Sequence, residues 1–256
     1  MELHGANVVI TGAARGIGAA LARRMHAAGA NVVVADILDP GPVAAALDGA
    51  VGVVADVSTE QGNIDLIAAA REAFGTVDVF FANAGIAVGA DLSAPEDEWA
   101  RAVDVNVNAH RWAAKHLLDE WLGRGHGYFC STASAAGLLA QIGSVAYTVT
   151  KRAAVAFAEW LSITYGDRGI RVSCLCPQGV DTAMLAGPGG SVDVVRAAGV
   201  VLDPADVADT VVAAIAEERF LILPHPEVQG YVERKATDHE RWLAGMRRLQ
   251  ARVIAG

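Results

Sequence analysis

Tyr147 and Lys151 stand four residues apart at the end of the run CSTASAAGLLAQIGSVAYTVTK, which extends from Cys130 to Lys151. In a helix that spacing puts both side chains on one face. A free phenol, with a pKa of about 10, is a poor base at neutral pH. An adjacent ammonium stabilises the phenolate and lowers that value. A phenol tuned in this way trades protons with an alcohol. Ser134, thirteen residues before Tyr147, follows an apolar strand and offers a hydroxyl to hold a substrate oxygen beside the phenol. Tyr-x-x-x-Lys alone is common on exposed helices, so the pair takes its meaning from its company.

A second constellation precedes it. Thr11-Gly12-Ala13-Ala14-Arg15-Gly16-Ile17-Gly18 joins the first apolar strand to the first helical pattern. Glycines there let the backbone turn and approach a ligand, and the unpaired N–H groups of a helix start attract a pyrophosphate. The spacing is Gly-x-x-x-Gly-x-Gly, not Gly-x-Gly-x-x-Gly. Asp36 ends the second strand, 18 residues after Gly18, where a carboxylate accepts hydrogen bonds from an adenosine ribose; Asp56 ends the third. A 2′-phosphate about 4 Å from Asp36 would be repelled by up to roughly 4 kcal/mol at an effective dielectric near 20. That favours NAD over NADP. Arg15, whose guanidinium could partly neutralise such a phosphate, pulls the other way but does not occupy the hydroxyl site itself.

The elements that must position these groups are read from periodicity. Apolar runs at 7 to 11, 31 to 36, 51 to 56, 77 to 83, 127 to 132, 170 to 176 and 220 to 224 alternate with helical patterns near 16 to 28, 60 to 74, 96 to 122, 146 to 166 and 204 to 218. Continuous apolar strands separated by helices predict a doubly wound α/β fold, a seven-stranded parallel sheet covered on both faces. Gly29, Gly75 and Gly166 sit where helices should end. One domain is expected over 1 to 225, with a glycine- and proline-rich lid at about 183 to 203 and a helical extension over 226 to 256. The apolar spacing from Val228 to Val253 predicts one long amphipathic helix.

Composition narrows the class of function. At 256 residues, 53% hydrophobic and 19% charged, the chain is too apolar for disorder and too often interrupted by charge for a membrane protein. A formal charge of -9 without a basic stripe argues against nucleic acid. Cys130, Cys174 and Cys176 lie in apolar runs and read as small core residues in a reducing compartment. The seven histidines show no metal spacing, and no export signal precedes the first strand, so no metal and a cytoplasmic location are expected.

TGAARGIG at 11 to 18, ANAG at 82 to 85, Asn106, Ser134 and Tyr147-x-x-x-Lys151 together resemble the short-chain dehydrogenase/reductase family in order and spacing, to about Pro224. The resemblance implies a Rossmann-type fold. It makes Asn106, Ser134, Tyr147 and Lys151 a catalytic tetrad, with Tyr147 the general acid or base, Ser134 holding the substrate oxygen, Lys151 lowering the phenol pKa and binding the nicotinamide ribose, and Asn106 supporting a water relay. It places Gly12, Arg15, Gly16, Ile17, Gly18, Asp36 and Ile37 on the cofactor, Asp56 and Val57 at the adenine, and Asn83, Ala84 and Gly85 along the cofactor backbone. Pro177, Gly179, Val180 and Thr182 would meet the nicotinamide end. The family's usual Pro-Gly reads Pro177-Gln178-Gly179 here. An oligomer is implied, most often a tetramer, formed through the helices near 100 to 122 and 146 to 166.

The substrate pocket expected from the sequence is formed by Ala135, Leu138, Leu139, Gln141, Val145, Gln178, Met184 and Leu185 with the lid. None of these is cationic, which points to a neutral, fairly hydrophobic secondary alcohol or ketone of aryl, alicyclic or hydroxysteroid type. The competing readings are a 3-oxoacyl thioester reductase acting on an acyl-carrier protein or coenzyme A, against which Asp36 and the acidic charge weigh, and an NAD-sensing or scaffold protein, which would have no need of Tyr147.

Overall fold

The computed structural model describes residues 1 to 186 and 199 to 255. Seven strands form one parallel sheet: β1 Asn7–Thr11, β2 Asn31–Asp36, β3 Val51–Val54, β4 Val79–Ala82, β5 Gly127–Thr132, β6 Ile170–Leu175 and β7 Leu221–Ile222. Their spatial order is β3-β2-β1-β4-β5-β6-β7. The chain therefore winds outward in one direction from β1, returns, and continues in the other from β4. The carboxyl ends of β1 and β4 flank the crevice that this reversal leaves.

Among the described residues the helices are α1 Gly16–Ala27, α2 Gly41–Ala44, α3 Glu60–Phe74, α4 Glu96–Val103, α5 Ala109–Arg124, α6 Ala135–Leu138, α7 Val145–Tyr165, α8 Ala183–Ala186, α9 Pro204–Ala216, α10 Glu227–Thr237 and α11 His239–Ala255. Strand pleating sends alternate side chains to opposite faces. Val8, Ile10, Val32 and Val34 pack with Leu21 and Met25 of α1 and Val207, Val211 and Ile215 of α9. Val9, Val33, Phe80 and Phe129 pack on the other face with Leu66 of α3, Leu117 and Trp121 of α5, and Leu161 of α7.

Local chemistry sets several boundaries. The Thr59 hydroxyl accepts from Gly62 N at 3.0 Å to start α3, and Asp203 accepts from Ala205 N at 2.7 Å to start α9, with Pro204 in its first turn. The helical pattern read as one helix near 96 to 122 is interrupted by a π-helical turn, Asp104–Asn108, which carries Asn106. The third strand ends at Val54, so Asp56 lies two residues beyond the ladder and not at its last position. Gly166 ends α7 in a right-handed conformation and opens a short 3-10 turn; the left-handed glycine that completes the reversal is Gly169, at φ 86°. The tail is two helices, not one, because Asp238 leaves helical geometry at φ -146°, ψ 88°. Residues 187 to 198, the middle of the expected lid, lie outside the described residues.

Candidate active site

At the carboxyl edge of the sheet a cleft of about 890 Å³ runs from the glycine turn to α7. Its floor depends on missing side chains. A Cβ on Gly18 would lie 2.2 Å from Gly12 O, and Gly12 itself turns at φ +64°. Arg15, extended at the N-cap of α1, supplies no side-chain cap, so the first-turn N–H groups stay available to an anion. Asp36 braces this turn: one carboxylate oxygen accepts from Ala14 N and the other from Leu38 N, both at 2.9 Å. Each oxygen keeps a further lone pair for a ribose hydroxyl. Ile37, Asp56, Val57, Ala84 and Gly85 line the same cleft. A bare backbone turn, an uncapped helix start and an acceptor-only carboxylate together fit a dinucleotide.

Asn83 also lines the cleft, but its side chain knits strands together. Its Nδ2 donates to Thr11 O at 2.9 Å, and its Oδ1 accepts from Thr132 Oγ1 at 3.2 Å. The hydroxyl of Thr11, which opens the glycine turn and to which the sequence assigns no role of its own, accepts from both Asn83 N and Ala84 N at 3.0 Å.

The reacting groups expected from the sequence do converge. Ser134, extended at the start of α6, accepts from Ala136 N at 3.1 Å and stands against the Tyr147 hydroxyl. Lys151 is buried, donates to Thr132 O at 2.8 Å and sits 5.7 Å from the Tyr147 ring centroid. The expected tuning of the phenol by Lys151 is not what the protein alone produces. Burial raises the Tyr147 pKa, and the Ser134 hydrogen bond opposes it. Burial also lowers Lys151 to about 8. Burial is thus the dominant influence on both groups, and the ammonium donates to a backbone carbonyl while it lies over the ring.

Asn106 does not line the cleft. It is fully buried; Oδ1 accepts from Ile86 N at 2.9 Å, while Nδ2 donates to Ile86 O at 2.9 Å and Thr150 Oγ1 at 3.0 Å. It stands behind Gly85, where a Cβ would come within 3.1 Å of Lys151 Nζ and 3.3 Å of Asn106 Oδ1.

Around the substrate end, Ala135, Gln141, Pro177, Gln178, Val180, Thr182, Met184 and Leu185 line the cleft. Gly179 does not; its carbonyl is held by His225 Nε2 at 3.1 Å. Leu139 faces a second cavity of about 850 Å³ that shares Ala135, Ala136, Gln141 and Gln178 with the first. Leu138 and Val145 line neither. The residues expected to form the pocket are uncharged, but others that line the two cavities add cations. Arg101 reaches the first cavity, and the tail brings Arg234, Arg241 and Arg248 to the second.

His225 had no sequence signal. It is buried, and its Nδ1 accepts from Gln178 N at 3.1 Å while Nε2 reaches Gly179 O and Val200 O at 3.1 Å. Because a backbone N–H only donates and a carbonyl only accepts, the ring is the neutral tautomer with its proton on Nε2.

Residues 6 to 188 match the family model described as short chain dehydrogenase. The 1-deoxy-11-beta-hydroxypentalenate dehydrogenase of Streptomyces avermitilis is 35% identical over 255 residues, spanning 95% of this chain and 93% of that protein. The cis-4-hydroxycyclohexanecarboxylate dehydrogenase of Sinomonas cyclohexanicum is 33% identical over 217 residues, 79% of this chain and 86% of the relative. A solved short chain dehydrogenase/reductase from Burkholderia phymatum in complex with NAD is similar at a TM-score of 0.84 and 31% identity, covering 94% of this chain and 96% of that one.

Proposed function

This chain belongs to the short-chain dehydrogenase/reductase family and is an oxidoreductase, and from that premise we propose that it transfers a hydride between NAD and a fairly hydrophobic secondary alcohol or ketone of aryl, alicyclic or hydroxysteroid type. The observation that carries this reading is the convergence of Ser134, Tyr147 and buried Lys151 at the end of a cleft whose other end is the glycine turn braced by Asp36. The cofactor supplies the hydride acceptor or donor. Ser134 holds the substrate oxygen, and Tyr147 takes the hydroxyl proton in oxidation or returns it in reduction. Lys151 holds the ribose side of the cleft. Asn106 acts by fixing Ile86 and Gly85 beside Lys151.

Asp36 supports NAD over NADP, since its carboxylate lies where a 2′-phosphate would be repelled. Two relatives bear the names of dehydrogenases for a hydroxypentalenate and a hydroxycyclohexanecarboxylate, which supports an alcohol on an alicyclic frame. No helix among the described residues is long and apolar enough to cross a membrane. Free, buried cysteines suit the reducing conditions of the cytoplasm. Exposed Val149, Trp160 and Ile163 on α7 support an oligomer through that helix, a tetramer in this reading.

A panel of secondary alcohols offered with NAD, followed by nicotinamide absorbance, tests the reading. Turnover of alicyclic or aryl alcohols with NAD preferred over NADP is expected. Turnover confined to 3-oxoacyl thioesters with NADPH would overturn it.

A further inference from the structure

The second cavity adjoins the first, sharing Ala135, Ala136, Gln141 and Gln178 of its lining, and its outer wall belongs to the two tail helices. Its volume, about 850 Å³, is itself that of a ligand site. A small monocyclic alcohol reacting at Tyr147 would leave it to water.

The tail wall is anchored rather than draped. Lys235 Nζ donates to Leu138 O at 2.8 Å, and Arg152 Nη2 reaches the same carbonyl at 2.9 Å, tying α10 and α7 to the end of α6. Val228 at the root of α10 is fully buried. Lys235 Nζ also lies 4.8 Å from the Trp242 ring centroid, which orients that indole.

Two chemistries meet on this wall. Trp242, Met246 and Leu249 present half-buried apolar surface at helical spacing on α11. Arg241 and Arg248, seven residues apart on the same helix, stand at its rim with Arg234 from α10. Among the described residues none of these three guanidinium groups is ion-paired with a carboxylate; Arg234 lies over Tyr231 at 4.9 Å. Two acids share the lining: Glu233, which accepts from Gln229 Nε2 at 2.9 Å, and Asp238, which accepts from Arg241 N at 2.9 Å. The balance at the rim remains cationic.

Resting on the alcohol/ketone reading above, we propose that this second cavity is the distal half of the substrate site and takes an apolar body that ends in a carboxylate. The reacting ring sits at Ser134 and Tyr147, where no cation is required. The body passes Gln178 along Trp242, Met246 and Leu249, and the carboxylate pairs with Arg241 and Arg248, groups whose planar forks suit two-oxygen acceptors. The substrate class is thus a long alicyclic hydroxy or oxo acid.

Cholate and its methyl ester, compared with 1-phenylethanol as a short neutral alcohol, provide the test. The wild-type enzyme should prefer the acid over the ester in kcat/KM by about tenfold or more, mainly through KM, a preference that shrinks as salt is added. In Arg241→Gln/Arg248→Gln, both positions being exposed, the preference should disappear while turnover of the ester and of 1-phenylethanol stays as in the wild type. Arg241→Lys/Arg248→Lys should recover part of it. An acid preference that is absent in the wild type, or that survives the double substitution, overturns the inference while leaving NAD-linked turnover of 1-phenylethanol intact. Failure of all three compounds to turn over with NAD removes the function reading as well. If the double variant changes only the oligomeric state by sedimentation, with discrimination unaltered, the groove is a seat for a second copy of the chain and the inference is equally overturned.

Discussion

The two cavities that meet at Gln178 are built from different material. In the first, the polar groups are tied to backbone: Lys151 to Thr132 O, Asn83 to Thr11 O and Asp36 to Ala14 N, with Asn106 behind the cleft held to both polar atoms of Ile86. In the second, the charged groups are long exposed side chains on helices held to the body at a few points. The difference follows from the task. Proton and hydride transfer fail with displacements of about 1 Å, so the groups that perform them belong on the edge of a close-packed sheet. Selecting the far end of a substrate tolerates adaptable groups, and there solvent-facing helices suffice.

The largest effect expected from this contrast is at Tyr147. Tyr147→Phe should lower kcat by about 10³-fold while calorimetric NAD affinity is unchanged, because only the proton-transfer group is lost. An NAD-sensing or scaffold protein would show no such loss, having no turnover to lose. Asp36→Ala comes next: the ratio of kcat/KM for NAD to that for NADP should fall by about 100-fold once the carboxylate no longer opposes a 2′-phosphate across partly screened solvent.

His225 sharpens the comparison from the side of stability. His225→Phe leaves Gln178 N without its buried partner, while Gly179 O keeps the hydrogen bond from Leu202 N, so denaturant unfolding should show a loss of about 2 kcal/mol. Arg241→Gln, at an exposed position, should leave stability within about 0.5 kcal/mol of wild type. Equal losses in the two variants would contradict the division between an anchored and an adaptable wall.

The smallest effect is a pH slope. Burial lowers the His110 pKa to about 3, so the folded protein keeps this ring neutral where the unfolded chain, titrating at about 6.5, takes up a proton. The stability held above pH 6.5 is therefore lost as pH falls toward about 3, by about 1.4 kcal/mol per pH unit. His110→Gln should remove that one-proton slope from urea midpoints measured across this range.

The fold was legible because buried parallel strands appear as unbroken Val- and Ile-rich runs, as in NVVIT and NVVVAD. The glycine turn and the Ser134, Tyr147 and Lys151 set were legible because each function demands a residue type. The break at Asp238 was not, since apolar spacing continues across a single non-helical residue. The direction of the Tyr147 shift was not either. It follows from how deeply the phenol is buried, which depends on packing from distant elements and leaves no mark on the identities of Tyr147 and Lys151. The arginines of the second cavity were visible as residues but not as neighbours of Gln178, because their placement needs the turn between α10 and α11.

The central claim is hydride transfer at this sheet edge, and isotope transfer tests it most directly. Wild-type enzyme is given NAD and 1-phenylethanol deuterated at the carbinol carbon, and the reduced nicotinamide is examined by mass spectrometry. The account predicts that the deuterium appears in the reduced cofactor in step with the ketone formed. Ketone formed without label in the cofactor, or no ketone from any secondary alcohol while NAD still binds, would contradict it.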